Sequence, residues 1–223
     1  INGIPADEVP LPLAEGTYEL SVNGLSHPNY LLSSTPGTLT ILPPGEFGCT
    51  LSDGQITITA YYGMSNSVVI PENISGYPVV QIAEGAFQDR AGLKAVTFPE
   101  TLRVIGRRAF AQGGLEEIRI PDGVVRIGDD AFLNCPAKTV WIGSGLNTLG
   151  TDALIGSYRI NVHADNASFS SRDGVLFNKD QTVLLFCPLG KTGFYPVPNG
   201  VLEIAPRAFF SQRSLTRINI PSS

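Results

Sequence analysis

Charge is scarce in this sequence. Asp, Glu, Lys and Arg make up 16% of its 223 residues, below the usual quarter. The net charge of −5 and a pI near 5.0 leave no basic stripe, which argues against nucleic acid as a partner. No run of 18 apolar residues occurs, so no apolar helix of this length is available to span a bilayer. Cysteine is sparse and dispersed, at Cys49, Cys135 and Cys187, without a CxxC pair. The two histidines, His27 and His163, cannot complete a zinc set at such spacing. An odd cysteine count also excludes a fully paired disulfide framework. Buried, reduced thiols acting as small hydrophobes are expected, with a Cys135–Cys187 bridge left open but not predicted. What abounds is glycine (24) and proline (17), together about 18% against a usual share of about 12%. Breakers this dense exclude a bundle of long helices. An apolar share of 43% still suffices for a core, so a turn-rich β protein is expected.

The breakers recur at fixed places. Ile82-Ala-Glu-Gly-Ala-Phe87, Ile105-Gly-Arg-Arg-Ala-Phe110 and Ile127-Gly-Asp-Asp-Ala-Phe132 are followed by a weaker Leu149-Gly-Thr-Asp-Ala-Leu154 and a clear Ile204-Ala-Pro-Arg-Ala-Phe209. The first four stand about 22 residues apart. Between them come short apolar alternations, Val96-Thr-Phe-Pro99, Ile118-Arg-Ile-Pro121, Val140-Trp-Ile-Gly143 and Ile218-Asn-Ile-Pro221, with Val68-Val-Ile-Pro71 opening the series. Such periodicity predicts a solenoid. Ile118 and Ile120 alternate with Arg119, so one strand face is buried and the other wet. Pro121 ends the strand, and Val124 and Ile127 are further inward anchors. The Gly128 position is read as a tight bend, and Ala131-Phe132 as a short helical turn. Leu115 and Leu215 return the chain to the next strand. A unit of this size cannot bury its own apolar face, so neighbours must stack.

The pattern resembles the BspA-type leucine-rich repeats, with the core IxxxAFxxCxxLxxIxIPxxVxxI. The resemblance runs from about Val68 to Ser223. It implies a β-rich solenoid, a parallel sheet with short helical turns. Cys135, three residues after Phe132, stands where the family often has cysteine, in keeping with the buried reading. Leu154 in place of Phe, Ala137 in place of Leu and the absent proline after Ile142 should make the units near 137–160 less regular, though still stacked.

Between residues 154 and 204 lies an insertion, placed at about 165–195. Ser170 to Pro188 reads as two strands around the turn Asn178–Gln181, a β-hairpin, and Tyr195-Pro-Val-Pro198 restarts the strand motif. The string Asp173-Gly-Val-Leu-Phe-Asn-Lys-Asp180 is similar to a longer repeat variant of the same family. Residues 1–45 carry no repeat. Gly16–Val22 and Gly37–Leu42 alternate as strands, and the stretch between Gly16 and Ile41 resembles the second half of an MBG module, a small β domain of bacterial surface proteins. Pro43-Pro-Gly45 reads as a linker. Residues 46–223 then form the solenoid, with the strand 55–62 as its amino-terminal cap. An opening Ile-Asn-Gly-Ile is not a signal peptide; a removed leader, or a piece of a longer exported protein, is expected.

No catalytic constellation assembles. No serine or cysteine motif points to His27 or His163. Asp129-Asp130 falls where the preceding repeat has Arg107-Arg108, which suits solvated turn residues better than catalysis or calcium. Gly143-Ser-Gly145 lacks the third glycine of a dinucleotide loop. Asn73-Ile-Ser75 and Asn166-Ala-Ser168 match glycosylation sequons. No enzyme, cofactor or metal is expected.

Binding has better material. Outward strand positions should form columns along the sheet: Thr97, Arg119, Trp141, Asn161 and Asn219 in one, Ala95, Glu117, Thr139, Arg159 and Arg217 in its neighbour. Trp141, the only tryptophan, stands in the company of arginine that interface hot spots favour. It reads either as a binding anchor or, more plainly, as a cover for thin core near Ala137 or a prop for the insertion. The candidate contact residues are therefore Trp141, Arg119, Thr97, Asn161, Glu117 and Arg159. The leading expectation is a non-catalytic, secreted or surface-bound bacterial repeat protein that contacts a protein or glycan, host matrix included, through its strand face. Adhesion is what the family resemblance implies. A rigid spacer, or an accessory carbohydrate-binding module, is the alternative.

Overall fold

The computed structural model describes residues 46–221, together with the backbone of Gly16–Tyr18 and Leu39–Ile41, which pair antiparallel. The remainder of residues 1–45, with most of the MBG-like stretch, His27 and the linker, lies outside the described residues. From Phe47 onward the chain is a β-solenoid, and the described residues contain no helix.

Each coil contributes two strands to two separate ladders. On the outward face the strands Glu117–Ile120, Thr139–Ile142 and Ile160–Val162 run parallel, with Ile118 facing Val140 and Val140 facing Ile160. On the opposite face Tyr77–Ile82, Val104–Ile105, Arg126–Ile127 and Thr148–Leu149 stack in parallel, Ile82 on Ile105, Ile105 on Ile127, Ile127 on Leu149. Inward residues of both faces are buried: Ile105, Val124, Ile127 and Val140 have no exposed surface at all. The expected cap strand is present as Gln55–Tyr61. It pairs in parallel with Tyr77–Ile82 and antiparallel with Phe47–Ser52, so the cap is a hairpin closed at Asp53–Gly54.

The third side of each coil carries the Ala-Phe pair. Its phenyl rings stack in one column, Phe87 on Phe110 at 4.7 Å between centroids and Phe110 on Phe132 at 5.3 Å, and Tyr61 of the cap strand continues it onto Phe87 at 5.0 Å. The segment is not the short helix expected. Two residues per coil, four apart, take the left-handed conformation that interrupts a helix. The first set is Gly85, Arg108, Asp130, Asp152 and Arg207; the second is Asp89, Gln112, Asn134, Gly156 and Ser211. Amides in this layer point along the rod axis and bond to the next coil instead. Arg108 donates to the Asp129 carbonyl at 2.9 Å, Phe110 to Ala131 at 2.7 Å and Gln112 to Leu133 at 2.7 Å.

Gly128 does not supply a bend either, since its φ is not positive. It is needed because coils approach closely there. A Cβ on Gly128 would stand 2.6 Å from the Arg107 nitrogen and 2.9 Å from the Gly106 carbonyl carbon, both backbone atoms of the coil below. Gly106 is equally confined, 2.7 Å from the Ala83 carbonyl carbon.

The coil over 137–160 is more regular than expected. Thr139–Ile142 keeps register on Glu117–Ile120, and Asp130, Phe132 and Asn134 all find their carbonyls at Thr151, Ala153 and Ile155. Ala137 for Leu and Leu154 for Phe are absorbed without loss of register. The break comes one coil later. The insertion is a three-stranded meander rather than a hairpin, Phe169–Arg172, Val175–Asn178 and Val183–Phe186, because Asp173 and Gly174 turn the chain a second time with φ of 54° and 84°. Its middle strand divides the core: Leu176 packs into the cluster of residues 56–160, whereas Val175 and Phe177 pack with Leu184, Cys187, Tyr195 and Val197. Burial on both faces explains the uninterrupted Val-Leu-Phe run. Beyond it, Glu203–Ile204 pairs with Val183–Phe186, and Gly193–Pro196 with Leu215–Asn219, so the repeat resumes.

Candidate functional site

Five of the six candidate residues share one patch. Arg119, Trp141 and Asn161 face one another across the three-stranded outward ladder, and Glu117 lies two residues back along the same face. Trp141 retains 42% of its surface, and it is held from both sides. Its indole Nε1 donates to Glu117 Oε1 at 3.0 Å. The Arg119 guanidinium sits 5.3 Å from the ring centroid, and Arg119 Nη2 pairs with the same Glu117 oxygen at 2.5 Å. The acid thus orients both the ring and the cation over it. Such a triad at an exposed surface stabilises little, about 0.5–1 kcal/mol for the cation–π contact and less for the exposed ion pair. It does fix the rotamer of a large amphipathic ring.

Arg159 lies just before the third strand, its carbonyl accepting the Val140 amide at 2.8 Å beside the Thr139 that pairs with Glu117. Its stem runs along the Asp173–Gly174 turn, where a Cβ on Gly174 would meet Arg159 Cγ at 2.8 Å. The insertion therefore buttresses this arginine. Thr97 is exposed but stands apart: Ala95–Thr97 pairs with Ser67–Val69, and its ladder does not continue to Glu117–Ile120. The columns also fail to reach Asn219 and Arg217, which belong to a separate two-stranded sheet. There Arg217 stacks over exposed Phe194 at 5.5 Å, a second arginine-on-aromatic pair.

Of the residues weighed for chemistry, Asp129, Asp130 and His163 make local or intercoil contacts. Asp129 Oδ1 accepts the Thr151 amide at 2.7 Å, and Asp122 Oδ1 accepts that of Ser144 at 2.6 Å, each clasping the next coil. The Ser144 amide holds the Asp122 carboxyl below its ordinary range. That contribution is present at neutral pH and is lost as acid protonates the group. Asp130 pairs with Arg108 at 3.5 Å. His163 is exposed, its Nδ1 accepting the Asp165 amide at 3.2 Å. No three His, Cys, Asp or Glu side chains gather as a metal set among the described residues.

The three cysteines are free thiols. Burial pushes Cys49 and Cys135 up to about 11 and Cys187 up to about 12. Cys135 Sγ also donates to the Phe110 carbonyl at 3.1 Å, across coils. The reactive thiolate is suppressed at all three. Native protein at pH 8 should therefore resist iodoacetamide, while denatured protein takes up one label per cysteine, as intact mass reports.

Asn166 is the residue that sequence reasoning undervalued. Its side chain is fully buried, Nδ2 donating to the carbonyls of Gly143 and Leu146 at 2.9 and 3.0 Å, Oδ1 accepting the amides of Ser168 and Phe169 at 2.9 and 2.7 Å. All four positions of the amide group are filled, so a glycan there is incompatible with the folded coil. Asn73, in the other sequon, is exposed. One sequence signal was available: Asn166 falls 23 residues after Gly143, one repeat on, where a strand has just ended.

Six copies of the BspA type leucine rich repeat region match residues 55–180. No match is found among curated proteins. Among solved structures, a leucine-rich repeat protein from Eubacterium ventriosum is 22% identical, with a TM-score of 0.53 over 93% of this chain and 60% of that one. A T. pallidum leucine rich repeat protein is 26% identical, TM-score 0.53, covering 81% and 71%. The pneumococcal vaccine antigen PcpA is 20% identical, TM-score 0.50, covering 77% and 62%. The chain thus spans about six-tenths of the pneumococcal and Eubacterium proteins. Repeat spacing, the stacked Ala-Phe column and the match over more than half its length agree: this chain belongs to the BspA-type leucine-rich repeat family.

Proposed function

We propose that this chain is a non-catalytic contact module of a bacterial cell surface, binding a protein or glycan through its outward strand face. The observation that carries the reading is Trp141, a large ring left 42% exposed yet fixed by Glu117 and Arg119. A preset anchor loses little side-chain entropy when a partner covers it, and Trp beside Arg is the composition of binding hot spots. Arg119, Asn161, Glu117 and Arg159 surround it with polar groups of both signs, while Thr97, in a separate ladder, is not part of this patch. The fold offers a rigid array of backbone on which to hold them. Residues 1–45 would be a separate β segment in front of the solenoid at 46–223. The likeness to a pneumococcal vaccine antigen supports display on the outside of a cell, with adhesion, to host matrix among others, as the use.

A spacer role has its own support in the columns of intercoil hydrogen bonds that run from Gly85 through Asn134 and stiffen that part of the rod. An array of matrix proteins and glycans, probed with the chain and with Trp141→Ala, separates the two. The contact reading expects at least one ligand whose affinity falls tenfold or more in the variant. An array without signal above background, or signal indifferent to Trp141, favours the spacer.

A further inference from the structure

The stacking rule of the turn layer is broken at one place. In three successive coils the first, third and fifth residues of the turn donate their amides to the coil that follows. Gly85, Phe87 and Asp89 reach the carbonyls of Arg107, Ala109 and Ala111; the sets beginning at Arg108 and Asp130 repeat this, all nine bonds being 2.7–3.0 Å long. The fourth coil has the same turn, with Asp152 and Gly156 in the same left-handed conformation. Yet the amides of Asp152, Leu154 and Gly156 have no hydrogen-bond acceptor among the described residues. The coil that should answer them, around Ala205–Phe209, bonds elsewhere: Ala205 donates to Leu184, and the Ala208 carbonyl accepts from Cys187. On the opposite ladder Thr148–Leu149 is likewise a terminal strand.

Between these two coils lies a cleft of about 350 Å³, within the size range of ligand pockets. Leu149, Leu154, Phe169, Leu185 and Phe186 line it, and Arg207 stands at its side, bound to Asp152 through Nε–Oδ1 at 2.9 Å and Nη2–Oδ2 at 2.7 Å. Both flanking charges are thus neutralised by each other.

We propose that this cleft docks a short segment of a partner polypeptide, its backbone carbonyls accepting the amides of Asp152, Leu154 and Gly156 while an apolar side chain fills the cavity. The donor spacing selects the occupant. In the intact coils three carbonyls at alternate residues satisfy this row, as Asp129, Ala131 and Leu133 do. A polypeptide backbone carries acceptors at that interval; a sugar, a fatty acid or a compact apolar molecule does not. Asp152 and Leu154 line the cavity, with Gly156 next along the same row. Unpaired amides beside an apolar cavity are costly, and addition of a segment to an open backbone row is an established way to satisfy them. The mutually paired Asp152 and Arg207 ask for no charge on the segment. This site lies apart from the strand face around Trp141 and does not depend on it.

Two measurements on the full chain test this. Residue-resolved amide exchange on the free protein should show Asp152, Leu154 and Gly156 exchanging at least tenfold faster than Arg108, Phe110 and Gln112. A library of random twelve-residue peptides is then selected on the chain. Enriched peptides should slow those three amides tenfold or more, and should lose tenfold in affinity for Leu185→Trp, which fills the cavity. Should that variant fail to fold, the exchange pattern of the unaltered chain with bound peptide decides. The proposal is overturned if the three amides are already as protected as their counterparts in the free chain. Selection that yields no binder, or binders that protect only the strand face around Trp141, overturns it as well. So does an apolar dye that fills the cleft and competes with no selected peptide.

Discussion

Gly128→Ala should lower the melting temperature by about 6–12 °C. The added methyl carbon falls 2.6 Å from the Arg107 nitrogen and 2.9 Å from the Gly106 carbonyl carbon, and neither is the end of a side chain that can swing away. Both coils are pinned on either side of the contact, Gly128 donating to Ile105 and Gly150 to Ile127, each at 2.8 Å. Relief requires the coils to part by several tenths of an ångström. That stretches the amide column and the phenyl stack of Phe110 on Phe132 together. Overpacking of this kind costs about 3 kcal/mol, and each kcal/mol is worth about 2–4 °C in a chain of this size. Circular dichroism melts would check it. The comparison is with Ala83 and Ala205, the same repeat position in two other coils. There the residue rests on the cap strand at Ile58 and on the insertion at Leu184, not on another coil's turn, and a methyl group is tolerated. A melting temperature unchanged within 2 °C would mean that the coils can separate freely at this column.

Asn166→Ala is expected to cost about 3 kcal/mol. The substitution leaves two buried carbonyls, of Gly143 and Leu146, and two part-buried amides, of Ser168 and Phe169, without their partner. Each buried group so orphaned costs about 1–3 kcal/mol, less whatever water can enter and satisfy. The damage should be local. Asn166 ties the end of one coil to the first strand of the meander, so faster exchange is expected at Ser168 and Phe169 and little change at Phe110. Asn73→Ala is the matched control, the same Asn-x-Ser motif on an exposed strand, where the change stays within about 0.5 kcal/mol. Equal effects of the two substitutions would show that the four bonds at Asn166 contribute nothing net.

The stacked architecture was legible because inward residues repeat about every 22 positions and strands end at proline. Ile118 and Ile120, Val124 and Ile127 are buried as their spacing requires. The turn layer was misread because Ala-Phe after a polar pair suits a helical turn as well as a left-handed one. Residues such as Arg108 and Gln112 give no local sign of positive φ; the next coil imposes it by accepting their amides. Gly128 was identified as special for the wrong reason, since close approach of a neighbour coil and a bend within one coil both ask for glycine. The meander was half-read: Asp173-Gly174 is an ordinary turn signal, masked by a strand pattern that continues on both sides of it. At the site, the columns that placed Arg119, Trp141 and Asn161 in one row follow directly from the repeat. The contacts of Trp141 with Glu117, and of Arg159 with the Asp173–Gly174 turn, depend on rotamers and on the path of the insertion, which spacing does not carry.

Stability in this molecule resides in the contacts between coils rather than in the exposed side chains of the outward strand face. Parallel thermal melts of Gly128→Ala and Trp141→Ala test that division most directly. Trp141→Ala removes one cation–π contact and one exposed hydrogen bond, worth about 1 kcal/mol, or about 2–4 °C. Gly128→Ala should fall about three times as far. If Trp141→Ala instead falls as far as Gly128→Ala or further, the tryptophan is a structural cover and the division is wrong.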